Sequence, residues 1–168
     1  MVYTMEIYID GGCRGNGHPD AFGAAAAVFK YRYGRQTVWT RYLESTDDYW
    51  NEDPPVTNQR AEITAVIIAL EQALEKFQDL RGNPWLDVKI YTDSKYVFGC
   101  MTEWIYKWSN NGWINAAGNP VANQDLIRQA SDLDDRLKEE GSVQYLWIPR
   151  AENQDADEAC NDRMDTGY

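Results

Sequence analysis

Apolar and polar side chains alternate near the start of the chain, with Met5, Ile7 and Ile9 set against Glu6, Tyr8 and Asp10. That two-residue period predicts a half-buried strand ending on Asp10. The Gly-rich GGCRGNGHPD that follows reads as a turn, and FGAAAAVFKY and TVWTRYL read as two more strands in antiparallel succession. The period then changes. Ala61, Ala65, Ile68 or Ala69, Leu74 and Phe77 form a stripe at helical spacing, which predicts a helix from about Thr57 or Asn58 that stops by Gly82-Asn83-Pro84. Glu62 lies in its first turn, on a line continued by Val66, Ala69 and Ala73.

Alternation returns in LDVKIYTD, which ends on Asp93, with Ser94 placed to cap a helix over SKYVFGCM. TEWIYKW predicts a second, aromatic helical piece, and the polar NNGWINAAGNPVANQ a loop. A helix from about Gln124 to Glu139, closed by Gly141, a strand VQYLWIP and a short helix around Ala156 to Met164 complete the reading. Strands first, then helix and strand in alternation, argue for an α/β fold with a right-handed crossover between the first strand and the one ending at Asp93. Asp10 and Asp93 would then project beyond the carboxyl ends of parallel neighbours, where open sheets place their functional crevices.

The 168 residues suit one domain spanning 1–168. Between Glu44 and Val56 lies an insertion-like surface loop with Glu44, Asp47, Asp48, Glu52 and Asp53, no Lys or Arg, and Pro54-Pro55. Cys13, Cys100 and Cys160 are odd in number and form no CxxC pair, so neither a disulfide framework nor a cysteine zinc site is suggested. No apolar run is long enough for a bilayer and no leader pattern opens the chain. The expectation is an intracellular protein, cytoplasmic or nuclear, with no membrane partner.

A net charge of −11 argues against a polyanion as partner, because phosphate binding normally needs a Lys/Arg surface. Either the acids are solvated surface or some are concentrated to hold cations. Asp10, Glu62, Asp93 and Asp157 would converge on one spot in the fold above, and like charges that close need protons or divalent metal. Carboxylates with retained water suit Mg²⁺, and a pair of ions could activate water in phosphodiester cleavage. Singly, each acid has an ordinary reading: Asp10 and Asp93 as strand-end turn formers or caps, Asp157 as an exposed helical acid among many. Glu62 is harder to dismiss, since an unpaired acid facing the core is expensive.

Taken together, IYIDGGCRGNG, TNQRAEITAVIIALEQAL, IYTDSKYVFGCMTEWIYKW, NGWINAAGNPVANQDL and NQDADEACN resemble, in order, the motifs of type 1 ribonuclease H over nearly the whole chain. CRGNG and FGAAAAVF look similar to eukaryotic, particularly fungal, members. The resemblance implies a five-stranded mixed sheet, its first three strands antiparallel and the rest parallel, flanked by helices. It implies an endonuclease that cuts the RNA strand of RNA/DNA hybrids with two Mg²⁺ ions, Mn²⁺ being a possible substitute, and leaves 5′-phosphate and 3′-hydroxyl ends. A catalytically quiet hybrid-binding module on the same scaffold is the alternative. A monomer with no obligate protein partner is expected.

Position by position, the resemblance makes Asp10, Glu62, Asp93 and Asp157 both catalytic and metal-binding. Asp10 would bridge both ions, Glu62 and Asp93 would hold one and orient the water, and Asp157 would complete the second site. Asn16, Asn58 and Gln59 match contacts to the RNA strand's 2′-hydroxyls. Thr57 and Asn123 match a DNA-phosphate pocket, and Tyr96 and Trp104 match aromatics along the DNA strand. Trp104 and Trp108 are also one helical turn apart and could be core, which suits Trp108 best. Three departures stand out. WIPRAENQDAD has no loop histidine; Arg150 there could hold a phosphate or assist product release, or pair with Glu152 or Asp155, and the chain's one histidine, His18, reads as an exposed loop residue. Pro55 stands where some members carry a phosphate-binding Arg, and the loop before Gln124 lacks their lysines.

Overall fold

The computed structural model describes residues 1–45 and 54–167, so most of the acidic Glu44–Val56 segment lies outside the described residues. Five strands form one sheet: β1 (Val2–Arg14), β2 (Phe22–Lys30), β3 (Gln36–Glu44), β4 (Trp85–Thr92) and β5 (Gly141–Trp147). Their spatial order is β3-β2-β1-β4-β5. The pairs β1/β2 and β2/β3 are antiparallel, and β1/β4 and β4/β5 are parallel. This is the mixed sheet expected.

Helix α1 (Asn58–Asp79) and helix α4 (Gln124–Lys138) cover one face. Helix α5 (Gln154–Thr166) covers part of the other. Met5, Ile7 and Ile9 are buried under α1, with Val88 and Ile90 beside them on β4. The alanine run of β2 explains the tight layering. Ala25 and Ala27 pack in the α1 layer, whereas Ala24 and Ala26 pack against Cys160 and Met164 of α5. A larger residue at any of the four would push a helix off the sheet. Among the described residues no helix is long and apolar enough to cross a membrane.

Several boundaries differ from the sequence reading. Gly11 to Arg14 is strand and not turn, because β2 pairs it residue by residue as far as Arg14 opposite Phe22. The turn is confined to the residues after Arg14, with Gly15 and Gly17 at positive φ. Gly141 does not close α4 but begins β5, where a Cβ would collide with the Leu86 carbonyl of β4. The two aromatic helical pieces are one interrupted helix: α2 (Lys95–Gly99), a π-helical turn over Cys100–Trp104, and α3 (Ile105–Asn111). Gly99 permits the turn, since the Trp104 ring lies against its Cα.

Candidate active site

The parallel pairing of β1 with β4 ends at Ile9 opposite Thr92. Asp10 and Asp93 are the next residues on the two chains, so the sheet itself sets them at the fork where the strands part. Asp10 shares the strand face of Glu6 and Tyr8, toward α5, which carries Asp157. Gly11 lies on the other face, and a Cβ there would overlap the Ala61 carbonyl carbon. The first turn of α1 therefore rests directly on the β1 backbone and brings Glu62 to the fork. Asp10, Glu62, Asp93 and Asp157 line one depression of about 340 Å³, together with Asn58, Arg150 and Asn161.

Each acid is held by a neighbour. The Gly11 N–H donates to Asp10 Oδ1 at 3.0 Å. Ser94 Oγ donates to Glu62 Oε2 at 2.8 Å while accepting from the Val97 N–H at 3.1 Å, so one hydroxyl caps α2 and orients a carboxylate. Asn153 Nδ2 donates to Asp93 Oδ2 at 3.2 Å and to the Ile9 carbonyl at 2.8 Å. Trp147 Nε1 donates to the Asp93 carbonyl at 3.1 Å. Arg150 Nη2 stands 3.4 Å from Asp157 Oδ1. This corrects the pairing expected for Arg150, because Asp155 instead meets Lys30 at 2.9 Å.

The electrostatics are those of partly buried carboxylates with like charge beside them. Burial, then the charge of Asp93, then a hydrogen bond and charge from Asp157 push the Asp10 carboxyl up to about 8. Glu62 is also raised, mainly by burial and further by Asp93, against the lowering effect of the Ser94 hydrogen bond. Such a set must take up protons or cations to be stable at neutral pH. Among the described residues no group of three acidic, imidazole or thiol side chains is drawn together as a closed metal cage. The donors are all carboxylate oxygens around an open depression, which fits a hard divalent cation that keeps part of its water.

Of the other predicted residues, Thr57, Asn58 and Gln59 open α1, Asn16 lies in the β1–β2 turn, Tyr96 in α2, Trp104 in the π-helical turn and Asn123 just ahead of α4. Asn16 Oδ1 accepts from the Asn58 N–H at 3.3 Å, tying the β1–β2 turn to the helix start. Thr57 is the N-cap of α1, its Oγ1 accepting from the Arg60 N–H at 3.1 Å. Asn123, in a left-handed conformation at φ 61°, donates to Tyr96 Oη at 3.2 Å and to Gln59 Oε1 at 3.4 Å. Tyr96 and Trp104 approach with ring centroids 6.2 Å apart, and Trp108 bridges Trp104 to Trp113 at 5.8 and 6.3 Å. His18 is exposed. The sequence reading treated Ser94 only as a cap and passed over Asn153, Trp147 and Arg60. Arg60 grips Asp125 with two bonds of 2.9 and 2.8 Å and reaches Asn123 Oδ1 at 3.4 Å, fastening α1 to α4. The position of Asn153 just ahead of the last helix was the one available signal, and it points to a cap, a role its side chain does not take.

Comparison with known proteins agrees with this geometry. The family model described as RNase H matches residues 3–165. A ribonuclease H of the bacterium Nitrosomonas eutropha is 32% identical over 166 residues, covering 96% of this chain and 90% of that protein. Among solved structures, LC9-RNase H1, a type 1 RNase H with the type 2 active-site motif, superposes with a TM-score of 0.71 at 21% identity, over 100% of this chain and 75% of that one. The foamy viral protease-reverse transcriptase in complex with an RNA/DNA hybrid superposes with a TM-score of 0.65 at 22% identity, over 95% of this chain and 19% of that one. On the family match and the identity to its bacterial relatives, the chain belongs to the RNase H family.

Proposed function

We propose that this protein is a divalent-metal-dependent endonuclease that hydrolyses the RNA strand of RNA/DNA hybrids to 5′-phosphate and 3′-hydroxyl ends. The observation that carries the reading is the convergence of four carboxylates from β1, α1, the β4 end and α5 on one depression, with Asp10 raised to about 8. Asp10, Glu62, Asp93 and Asp157 would hold two Mg²⁺ or Mn²⁺ ions. Such ions, when bound, neutralise the carboxylates, acidify a water and stabilise the charge on the departing oxygen.

The chain's own groups do the rest. Ser94 and Asn153 hold Glu62 and Asp93 in fixed orientations, so that the carboxylates need no rearrangement as substrate enters. Water attacks phosphorus in line, the P–O3′ bond breaks, and the 3′-oxygen takes a proton. Asn16, Asn58 and Gln59 carry side-chain amides that both donate and accept, as a 2′-hydroxyl requires. Tyr96 and Trp104 offer apolar faces to deoxyribose, and Thr57 with Asn123 offers short polar groups to a DNA phosphate. Arg150 stays cationic and cannot act as a general base; loosely tied to Asp157, it can shift to a phosphate oxygen.

The deciding experiment incubates the purified chain with an end-labelled RNA/DNA hybrid and Mg²⁺, beside DNA and RNA duplexes. Scission confined to RNA in the hybrid is expected, and Asp10→Asn and Asp93→Asn should abolish it while circular dichroism stays unchanged. Binding without scission would replace the nuclease reading by a hybrid-binding module.

A further inference from the structure

A groove of about 930 Å³, larger than the carboxylate depression, lies between the start of β1 and the tip of the β2–β3 hairpin. It is a separate depression from that of the acids: along β1 its near wall at Glu6 is four residues and its far wall at Val2 eight residues from Asp10, roughly 13 and 26 Å at strand rise.

The hairpin is locally cationic in an acidic chain. Between Ala21 and Leu43 stand Lys30, Arg32, Arg35 and Arg41 and no Asp or Glu, in a protein of net charge −11. Lys30 is committed to Asp155 and to the Tyr8 ring, and Arg41 stands 3.7 Å from Glu71. Arg32 and Arg35 have no acidic partner among the described residues. Glu6 is the one acid on the groove wall, and its carboxylate accepts from Tyr91 Oη at 3.2 Å.

Two tyrosines alternate with these cations. Tyr31 packs its ring on buried Phe29 at 4.3 Å between centroids, and its hydroxyl accepts from Thr37 Oγ1 at 3.1 Å. Tyr33 is 97% exposed and sits in the left-handed region at φ 69°, a conformation that glycine adopts far more readily. The turn is closed beneath it by the Tyr31 N–H donating to the Arg35 carbonyl at 2.8 Å. At that exposure the Tyr33 ring contributes no packing to offset its unfavourable backbone, and both of its faces are open to a ligand.

We propose that this hairpin tip and groove bind a single-stranded polynucleotide, with Tyr33 and Tyr31 as stacking platforms and Arg32 and Arg35 on the phosphates. Unpaired bases expose the faces that tyrosine rings stack on, whereas a duplex buries them. The inference deepens the nuclease reading and rests on it for the source of the strand, the overhang of a hybrid seated at the carboxylates.

Fluorescence anisotropy with labelled oligo(U) and oligo(dT) in EDTA tests the binding, with cleavage of a blunt hybrid in Mg²⁺ followed in parallel. The chain should bind both oligonucleotides, and the Arg32→Ala/Arg35→Ala pair should weaken binding about tenfold and lower the salt slope by about 1.4. Tyr33→Gly, which suits the backbone, should also weaken it about tenfold, with blunt-hybrid cleavage unchanged in both variants. Unchanged oligonucleotide affinity in both variants would overturn the proposal, as would a blunt duplex that competes as well as a single strand. Hairpin-dependent binding by a chain that cleaves no hybrid would uphold the hairpin site and overturn the nuclease reading alone.

Discussion

Asn153 offers the sharpest test of how the site is held. Its side chain is 1% exposed, and Nδ2 faces two acceptors, the Ile9 carbonyl at 2.8 Å and Asp93 Oδ2 at 3.2 Å. Its Oδ1 is buried with no partner among the described residues. Asn153→Ala removes both donor bonds and leaves one buried carbonyl and one carboxylate underserved, at about 3 kcal/mol in total. For a chain of this size that lowers Tm by roughly 6–12 °C. Asn153→Asp keeps the shape and reverses the chemistry. A carboxylate in that place would face Asp93 at the 3.2 Å now spanned by the hydrogen bond, a repulsion of about 5 kcal/mol at an effective dielectric of 20. Protonation relieves it, so the folded pKa of the new acid lies above its unfolded value. Stability of that variant is then retained at acid pH and lost as pH rises from about 4. Thermal unfolding at pH 4.5 and 7.5, with single-turnover cleavage of the hybrid, reads both effects. Asn153→Ala should slow cleavage on the order of 100-fold by freeing Asp93. If Asn153 merely filled space, the isosteric Asp would be milder than Ala at both pH values, and that ordering would refute the argument.

Three further outcomes are expected. Without divalent metal, the raised Asp10 carboxyl makes stability fall as pH climbs from about 4 toward 8, the value to which it is pushed. Asp10→Asn should consequently stabilise the metal-free protein at pH 7.5 by on the order of 2 kcal/mol in urea unfolding, with Mg²⁺ stabilising the wild type more than the variant. Ser94→Ala removes both the α2 cap and the donor to Glu62, and should cost about 1 kcal/mol of stability and raise the Mg²⁺ concentration needed for half-maximal cleavage. Tyr145→Phe takes the 2.7 Å donor from Asp134, which is 1% exposed and otherwise paired with Lys138 at 2.7 Å; a loss of about 2 kcal/mol in chemical unfolding with cleavage unaltered is expected.

Periodicity alone determined much of this protein. Alternation in MEIYID and LDVKIYTD required two strands buried on one face, and the 3.6-residue stripe from Ala61 required a helix whose first turn bears Glu62. Those are local properties, readable because each side chain's direction follows from its own backbone period. Asp10 and Asp93 could be placed at strand ends on that basis, and the mixed sheet followed from element order. Asp157 rested on resemblance, and only the packing of α5 over Ala24 and Ala26 brings it to the fork.

The tertiary structure decided the remainder, because partners far apart in sequence decide it. Gly11 to Arg14 has the composition of a turn and becomes strand only because β2 supplies the hydrogen bonds. Gly141 resembles a helix stop and is a contact point, since Leu86 leaves no room for a Cβ. Arg150 had nearer acids in sequence, yet the short turn over Arg150–Glu152 and the start of α5 aim it at Asp157. Asn153 bonds to Ile9 and Asp93, which are 144 and 60 residues away, so no local pattern could have marked it. The acids themselves were legible in the chain; what holds them, and the burial and like charge that raise Asp10, exist only once the fold has drawn them together.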